Sequence, residues 1–401
     1  MAARGNHLKP LAIFAPVIGR WGQSWVKAHI ETILPQQTVV VAICAYEPVA
    51  PFWGTDAPLS YLPPNLPPVF AAPDNQKPIL ARLPEDHRQR FWHPDHQQQI
   101  RDFLIHHGVQ AILAQWMDVH APLLDIARDL GLRYYCQTHG TDITDGLRNP
   151  AVRAAYQLYL AADGVIAPSE FGRRQLIELG LPAEKTHVIR HAVAIPNAAV
   201  SHAEQSIHCL VIGRMEAMKG HVLALDAFRR ARELCPELPL TLEFLGDGAL
   251  LPALQQLTRA YQLEDSVTFH GFLSHDKALE RVRACQILLH PSVAVADRYD
   301  TCPVTVAEAM AHGLAIVGSR HGGITEQIRD GKSGFLVPEF DTVAMADRLV
   351  TLARDAALRG RLGAAARQRA RELFSLESVR RQWLELLQLN TFAAGIGPTA
   401  V

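Results

Sequence analysis

The sequence predicts an α/β protein made of two facing, doubly wound domains with a cleft between them. Three observations carry this. The chain has 401 residues, and at roughly 100–200 residues per domain it has room for two, each with its own core. Short apolar runs alternate with longer amphipathic segments from Leu11 to Ile189, and the alternation restarts at Ser206. Such a pattern suits parallel strands covered on both faces by helices. Between the two series, His191 to about Glu204 is polar and punctuated by Ala and Pro, and reads as a linker.

The first series opens with a strand at Leu11–Val17, a loop at 19–24 and a helix from Trp25 to about Leu34. Val26, Ile30, Ile33 and Leu34 share one face of that helix, and Val39–Ile43 is the second strand. The loop lacks GxGxxG, so a dinucleotide fingerprint is absent. Pro48 to Pro84 is rich in proline and without periodicity, which fits either a surface excursion or a flap over an acceptor. A helix at His96–His107, a strand at Ala111–Ala114, a helix at Pro122–Leu130 closed by Gly131, and a strand at Arg133–Gln137 follow. His139-Gly140-Thr141-Asp142 falls at the C-terminal end of that strand, where open α/β sheets bind ligands. Gly140 allows close approach there, and Asp142 either orients His139 or caps the next helix, expected at Ala151–Ala162. A strand at Gly164–Ala167, a helix at Glu170–Leu179 capped by Ser169, and a short strand at Val188–Ile189 complete the series.

The second series has strands at Ser206–Ile212, Leu240–Leu245, Val267–His270 and Ile287–His290. Its helices run from Lys219-Gly220 to Cys235, over Leu250–Tyr261 and over Asp276–Ala284. Arg214 and Lys219 lie between a strand and a helix, one a planar fork and the other a point charge, and both suit a diphosphate leaving group. The chemistry concentrates in Asp300–Glu326. Asp300 and Glu308 flank a helix start that Thr301 can cap, with Pro303 where a missing N–H is tolerated. The helix after Pro303 is almost wholly apolar and so buried; Gly313 ends it, Leu314–Gly318 is a buried strand, and Gly322-Gly323 a turn. A positive helix end beside carboxylates can hold a nucleotide sugar, dipole to diphosphate and carboxylates to diols. A last helix, about Ser378–Leu389, carries Trp383, Leu384, Leu386 and Leu387 and is expected to pack back on the first domain.

Composition bounds the function. A formal net charge of -1 gives no global affinity for polyanions, so nucleic acid is not an expected partner. The six cysteines form no CxxC pair, a reduced, cytoplasmic pattern with neither a disulfide framework nor a zinc site. No DxD occurs, so no carboxylate-held metal is expected on a diphosphate. Leu11–Ile18 is short and contains Pro16, which favours a strand over a secretory signal, and no apolar run reaches the ~18 residues of a membrane span. Arg148, Arg153, Arg173, Arg174, Lys185 and Arg190 make the first domain basic in places. That fits solvated helix faces or peripheral contact with a membrane.

Taken together, Gly213-Arg214-x4-Lys219-Gly220, Gly246-Asp247-Gly248, Phe269-His270-Gly271, Glu308-Ala309-Met310-Ala311-x-Gly313, Gly322-Gly323-Ile324-x-Glu326 and Asp330-Gly331-Lys332-x-Gly334 resemble the retaining glycosyltransferases of family 4. His139-Gly140-x-Asp142 and Pro168-Ser169-Glu170-Phe171 extend the likeness, which covers most of residues 160–390 and is loose before them. The resemblance implies the GT-B fold: an acceptor-side Rossmann-like domain at 1–198, a nucleotide-sugar domain at 205–375, and a C-terminal helix at 376–391. It implies that Arg214 and Lys219 bind the donor's diphosphate, that Glu308 holds the ribose, and that Asp300 holds the transferred sugar, aided by backbone amides near Thr301 and Cys302. His139 would contact the sugar near the reaction centre, Phe272 and Leu273 would flank the base, and the Gly22–Ser24 loop would approach phosphate or acceptor. No cofactor is implied beyond a UDP- or GDP-sugar donor; the acceptor is a glycan, a lipid-linked glycan or a small molecule in surface polysaccharide or glycoconjugate biosynthesis. The family usually has Glu-Gly where this chain has Asp300-Thr301. A carboxylate one methylene shorter moves the sugar contact or changes the donor. It also leaves open a degenerate subunit that binds without turnover, alongside a GT-B epimerase or phosphorylase.

Overall fold

The computed structural model describes residues 9–18, 24–45, 55–61, 94–117, 123–140, 142–144, 153, 156–197 and 206–389. Two all-parallel sheets organise them. The first has seven strands in the order β3-β2-β1-β4-β5-β6-β7: β1 Leu11–Ile18, β2 Thr38–Ala45, β3 Leu59–Tyr61, β4 Ala111–Gln115, β5 Arg133–Gln137, β6 Gly164–Ala167 and β7 Thr186–Val188. The second has six in the order β10-β9-β8-β11-β12-β13: β8 Ile207–Ile212, β9 Leu240–Leu245, β10 Val267–Phe269, β11 Ile287–His290, β12 Ala315–Ser319 and β13 Phe335–Val337. Central strands are buried along their whole length, as β4 and β12 show. Helices on both faces leave no water side for polar residues to alternate onto, so these strands read as continuous apolar runs. Each fully buried Leu, Ile, Val or Phe contributes about 1.5–3 kcal/mol over exposure.

The C-terminal helix Leu376–Leu387 returns to the first domain, where Val379, Trp383 and Leu387 join the core of the first sheet. Among the described residues no helix is long and apolar enough to cross a membrane. Cys209, Cys235, Cys285 and Cys302 are free thiols.

Several elements differ from expectation. Within the proline-rich stretch, Leu59–Tyr61 is an edge strand, with Val40 opposite Leu59; three residues are too few to show a period. The remainder of that stretch beyond residues 55–61 lies outside the described residues. Where a helix is expected at 151–162, the structure has a 3₁₀ turn at Tyr156–Ala161, and residues 151, 152, 154 and 155 lie outside the described set. The supposed linker begins too early: His191 is buried among rings of the first domain, and the Val193 N–H donates to the Phe374 carbonyl at 2.8 Å. Thr301 does not cap the helix Val304–His312; its N-cap is Pro303, which has no capping side chain. Thr301 is instead buried against the first domain. The strand β13 and the helices Thr342–Arg354 and Ala356–Phe374 complete the second domain.

Candidate active site

In each sheet the winding reverses once, between β1 and β4 and between β8 and β11. Chains leaving the two flanking strands part at such a point and open a crevice at the carboxyl ends. Arg214 and Lys219 follow β8, and Ser292 and Asp300 follow β11, so they meet at one crevice. His139 follows β5, beside β4 in the other sheet.

In the second domain, Lys219 Nζ lies 2.5 Å from Asp300 Oδ1. Ser292 Oγ donates to Asp300 Oδ2 at 2.5 Å, and His290 Nε2 stands 3.4 Å from the same oxygen. Burial works against the charge on Asp300, but Lys219 and then His290 outweigh it and hold the carboxyl well below its usual range. Lys219 ends a short 3₁₀ turn, Ala217–Lys219, just before the fourteen-residue helix His221–Leu234. Its ammonium therefore adds to the positive end of that helix. Arg214 is held by Glu216 Oε1 at 2.9 Å, and Glu216 Oε2 receives Arg298 at 3.1 Å, tying the loop after β8 to the loop carrying Asp300. Expected to serve the diphosphate and the sugar separately, Lys219 and Asp300 are paired with each other.

Glu308, on the helix Val304–His312, is bonded to His275 Nε2 at 2.7 Å, which raises the His275 pKa. Leu273 is half-buried against the second domain's core while Phe272 is exposed, just after β10. Cys302 is half-buried, and burial pushes its thiol up to about 12. That thiol stays protonated, unsuited to act as a nucleophile. Gly22 lies outside the described residues.

In the first domain, His139 sits in a cluster of rings. It stacks on Trp25 with centroids 3.8 Å apart and on His191 at 5.4 Å, with Trp116 at 4.7 Å; His29 lies between His191 and Trp383. His139 Nε2 is 3.0 Å from Gln115 Oε1, an acceptor, which leaves Nδ1 with a lone pair and no protein partner. Burial, then His191 and His29, push the His139 pKa well below the ordinary value, so the ring is neutral. Asp142 does not reach the ring. It accepts the backbone N–H groups of His139 at 2.9 Å and Met117 at 3.3 Å, and burial raises its pKa to about 6.

The three neutral imidazoles predict a pH dependence. Burial lowers His29 to about 3 and His191 to about 4, so the folded state resists protons that the unfolded chain accepts near 6.5. Stability is therefore full above pH 6.5 and falls as pH drops towards 4. Asp142, raised to about 6, works the opposite way between pH 6 and 4, but it is one group against three. His29 has neither ring nitrogen satisfied. H29L is expected to match or exceed wild-type stability at pH 7 and to flatten the decline, as read by urea melts at pH 7, 6 and 5. An unchanged slope would contradict this assignment.

The two halves touch at this cleft. A β-carbon on Gly140 would come within 3.1 Å of Thr301 Oγ1, so the loop after β5 lies directly on the loop carrying Asp300. Glu326, from the Gly-Gly motif, reaches across the cleft. Its carboxylate accepts Glu170 N–H at 2.8 Å and Phe171 N–H at 2.6 Å, and meets Arg190 at 3.4 Å. With Ser169 accepting Gly172 N–H at 3.1 Å, the first three N–H groups of the helix Glu170–Glu178 are satisfied. Sequence reading finds the Ser169 cap but misses Glu326, because its partners are 155 and 156 residues away. E326A is expected to lower stability by about 2 kcal/mol and to populate an opened cleft, seen as a lower Tm and a larger radius of gyration in solution scattering. Unchanged values of both would remove the latch role.

Comparison with known proteins fits this geometry. Residues 197–369 match the model for glycosyl transferases group 1, and residues 55–195 match the model for glycosyltransferase family 4. The amylovoran biosynthesis glycosyltransferase AmsK of Erwinia amylovora is 31% identical over 255 residues, 62% of this chain and 62% of AmsK. WcaL of Escherichia coli (strain K12), named for colanic acid biosynthesis, is 30% identical over 256 residues, 62% of this chain and 63% of WcaL. The match thus spans a little under two thirds of these relatives. Among solved structures, HepE of Anabaena in complex with UDP and glucose superposes with a TM-score of 0.71 at 19% identity, covering 95% of this chain and all of HepE. Sucrose-phosphate synthase of Thermosynechococcus elongatus gives 0.72 at 19% identity, covering 95% of this chain and 98% of the synthase. Two facing parallel-sheet domains, and family models that between them take in residues 55–195 and 197–369, place the chain in the group 1 glycosyltransferases of family 4, with the GT-B fold.

Proposed function

We propose that the protein is a retaining glycosyltransferase, moving a sugar from a UDP- or GDP-sugar to a hydroxyl of a glycan or lipid-linked acceptor in surface polysaccharide biosynthesis, without a metal ion. The observation that carries this is the meeting of the Asp300–Lys219 pair with the His139-Gly140 loop across one cleft. The biosynthetic names of AmsK and WcaL support the acceptor class, and UDP bound to HepE supports the donor class.

On this reading the second domain takes the donor and the first the acceptor. Lys219 keeps one N–H on Asp300 and turns the others, with Arg214 and the start of the helix His221–Leu234, to the diphosphate. Asp300 accepts sugar hydroxyls, and the neutral His139 ring, packed on Trp25 and His191, borders the sugar beside Gly140. The acceptor oxygen attacks the anomeric carbon from the face that the diphosphate leaves. As that C–O bond forms, the carbon–phosphate oxygen bond breaks, and the acceptor's proton passes to the departing phosphate oxygen. Asp142, tied to backbone amides, is not placed as a nucleophile. Closure of the cleft excludes water, the competing acceptor. Acting in the cytoplasm, the protein would touch the membrane only at its surface, where a lipid-linked acceptor is held.

Calorimetry with UDP, GDP and ADP and their glucose and mannose conjugates tests this. One nucleotide is expected to bind, and its sugar conjugate to transfer or slowly hydrolyse. Binding of none by the folded protein would sink the reading.

A further inference from the structure

Asp300 is anchored by its backbone as well as its carboxylate, and the anchor leads away from the cleft. Its N–H donates to His321 Nε2 at 3.0 Å, and its carbonyl accepts Gly323 N–H at 2.9 Å. Because Nε2 is the acceptor, the proton of the neutral ring sits on Nδ1, and Nδ1 is 2.8 Å from Glu339 Oε1. The other oxygen of Glu339 accepts Ala294 N–H at 2.8 Å. His321 is 1% exposed and stacked under Tyr299 at 5.5 Å and 15°. Every polar atom of this chain of contacts is used once, in one direction.

We propose that His321 and Glu339 are positioning residues for the transfer reaction: Glu339 fixes the His321 tautomer, and His321 fixes the backbone that aims the Asp300 carboxylate at the donor sugar. The role rests on the transferase reading. It also bears on the shorter acid here. Asp300 has one methylene less with which to correct its aim, so its backbone must be placed more tightly. The segment is held on both sides, by Gly323 and His321 on the β12 side and by Ser292 and Lys219 at the carboxylate. His321 is buried with both ring nitrogens taken by the protein, so it acts on the sugar only through Asp300.

The chemistry dictates the variants. In E339Q the amide has one acceptor for two donors. If its oxygen keeps Ala294, its NH₂ faces His321 Nδ1 and forces the proton to Nε2, donor against donor at Asp300 N–H. H321Q keeps an acceptor for Asp300 N–H without a tautomer to set; H321N is too short to reach it. Imidazole ¹⁵N spectra of wild type should show His321 protonated at Nδ1, and E339Q should lose that signature. E339Q and H321N should lower kcat by on the order of 10- to 100-fold, with nucleotide Kd within about twofold. H321Q should recover much of the loss, and E339Q should cost little more when added to H321Q. Thermal melts confirm that each variant is folded. A wild-type His321 protonated at Nε2, an H321Q no better than H321N, or effects of E339Q and H321Q that multiply would each overturn the proposal. If wild type turns over no sugar nucleotide, the transferase reading falls by itself. The positioning of Asp300 is then judged by the tautomer and by amide exchange at Asp300: faster exchange in H321N but not H321Q upholds it, and equal exchange in both rejects it.

Discussion

Replacing Lys219 by alanine is expected to reduce transfer roughly a hundred- to a thousandfold, because the variant removes a cation from the developing diphosphate charge and strips Asp300 of its counter-ion. The pair is well shielded, with side-chain exposures of 17% for Lys219 and 10% for Asp300. Breaking a buried pair from one side leaves an uncompensated charge and costs about 3–5 kcal/mol. In K219A the Asp300 carboxyl should rise from its depressed value, since burial, the opposing influence, remains. The sign of the pH dependence follows. A carboxyl depressed in the fold contributes stability above its unfolded value, near 3.9, and loses it as pH falls through the folded value. Wild type should thus exceed K219A at pH 7, and the gap should narrow once the raised carboxyl of K219A takes up its proton, closing as pH falls through the depressed wild-type value. D300N separates the two jobs: it should keep nucleotide affinity, since Lys219 is free for phosphate, yet lose the extra affinity a sugar conjugate shows over its nucleotide. K219A that binds nucleotide like wild type would remove Lys219 from the donor site.

Gly323→Ala should be nearly as damaging, for a different reason. Its backbone, at φ -75, suits any residue. Space is the constraint, because a β-carbon there would lie 1.6 Å from the Thr301 carbonyl oxygen. At Gly322, φ is +43 and a β-carbon would lie 2.3 Å from the Asp300 carbonyl oxygen. Both obstacles are backbone, which cannot swing aside like a side chain. G323A must push the turn off residues 300–301 and break the 2.9 Å bond from Gly323 N–H to the Asp300 carbonyl. We expect about 3 kcal/mol lost in a denaturant melt and on the order of a hundredfold lost in transfer. A variant with wild-type stability and turnover would show that this close approach is dispensable.

The central strands announce themselves through buried apolar runs such as Leu11–Ala15 in β1, Ala111–Ala114 in β4, Cys209–Val211 in β8 and Ile287–Leu289 in β11. The family motifs make the fold plain, and Arg214, Lys219 and Asp300 stand at strand ends where ligands gather. What a linear reading misses is pairing over distance. Nothing near Glu326 says that its oxygens lie on the helix Glu170–Glu178, and nothing near His191 distinguishes it from a linker residue until Trp25 and His139 fold over it. The His321–Glu339 contact spans 18 residues and two loops, with no period to betray it. The edge strands β3 and β13, at three residues each, are too short for pattern. Thr301 misleads because a Thr before a proline-led helix looks like a cap, whereas tertiary contact with Gly140 claims it.

The return of the helix Leu376–Leu387 to the first domain changes what counts as a half of this molecule. Val193 and Ser375 lie side by side as a parallel bridge, so the chain leaves the first domain and re-enters it at neighbouring points. Topologically the second domain is an insertion into the first, entered and left through one doorway. Cutting once after residue 198 would leave the first half with a Trp383-sized hole. Excising the insert and rejoining its flanks with a short link would leave that core whole. With two crossings set side by side, any swing of the second domain would turn about the line between them and be opposed along it. Opening and reclosing should therefore return Asp300 to the same place opposite His139 at every cycle.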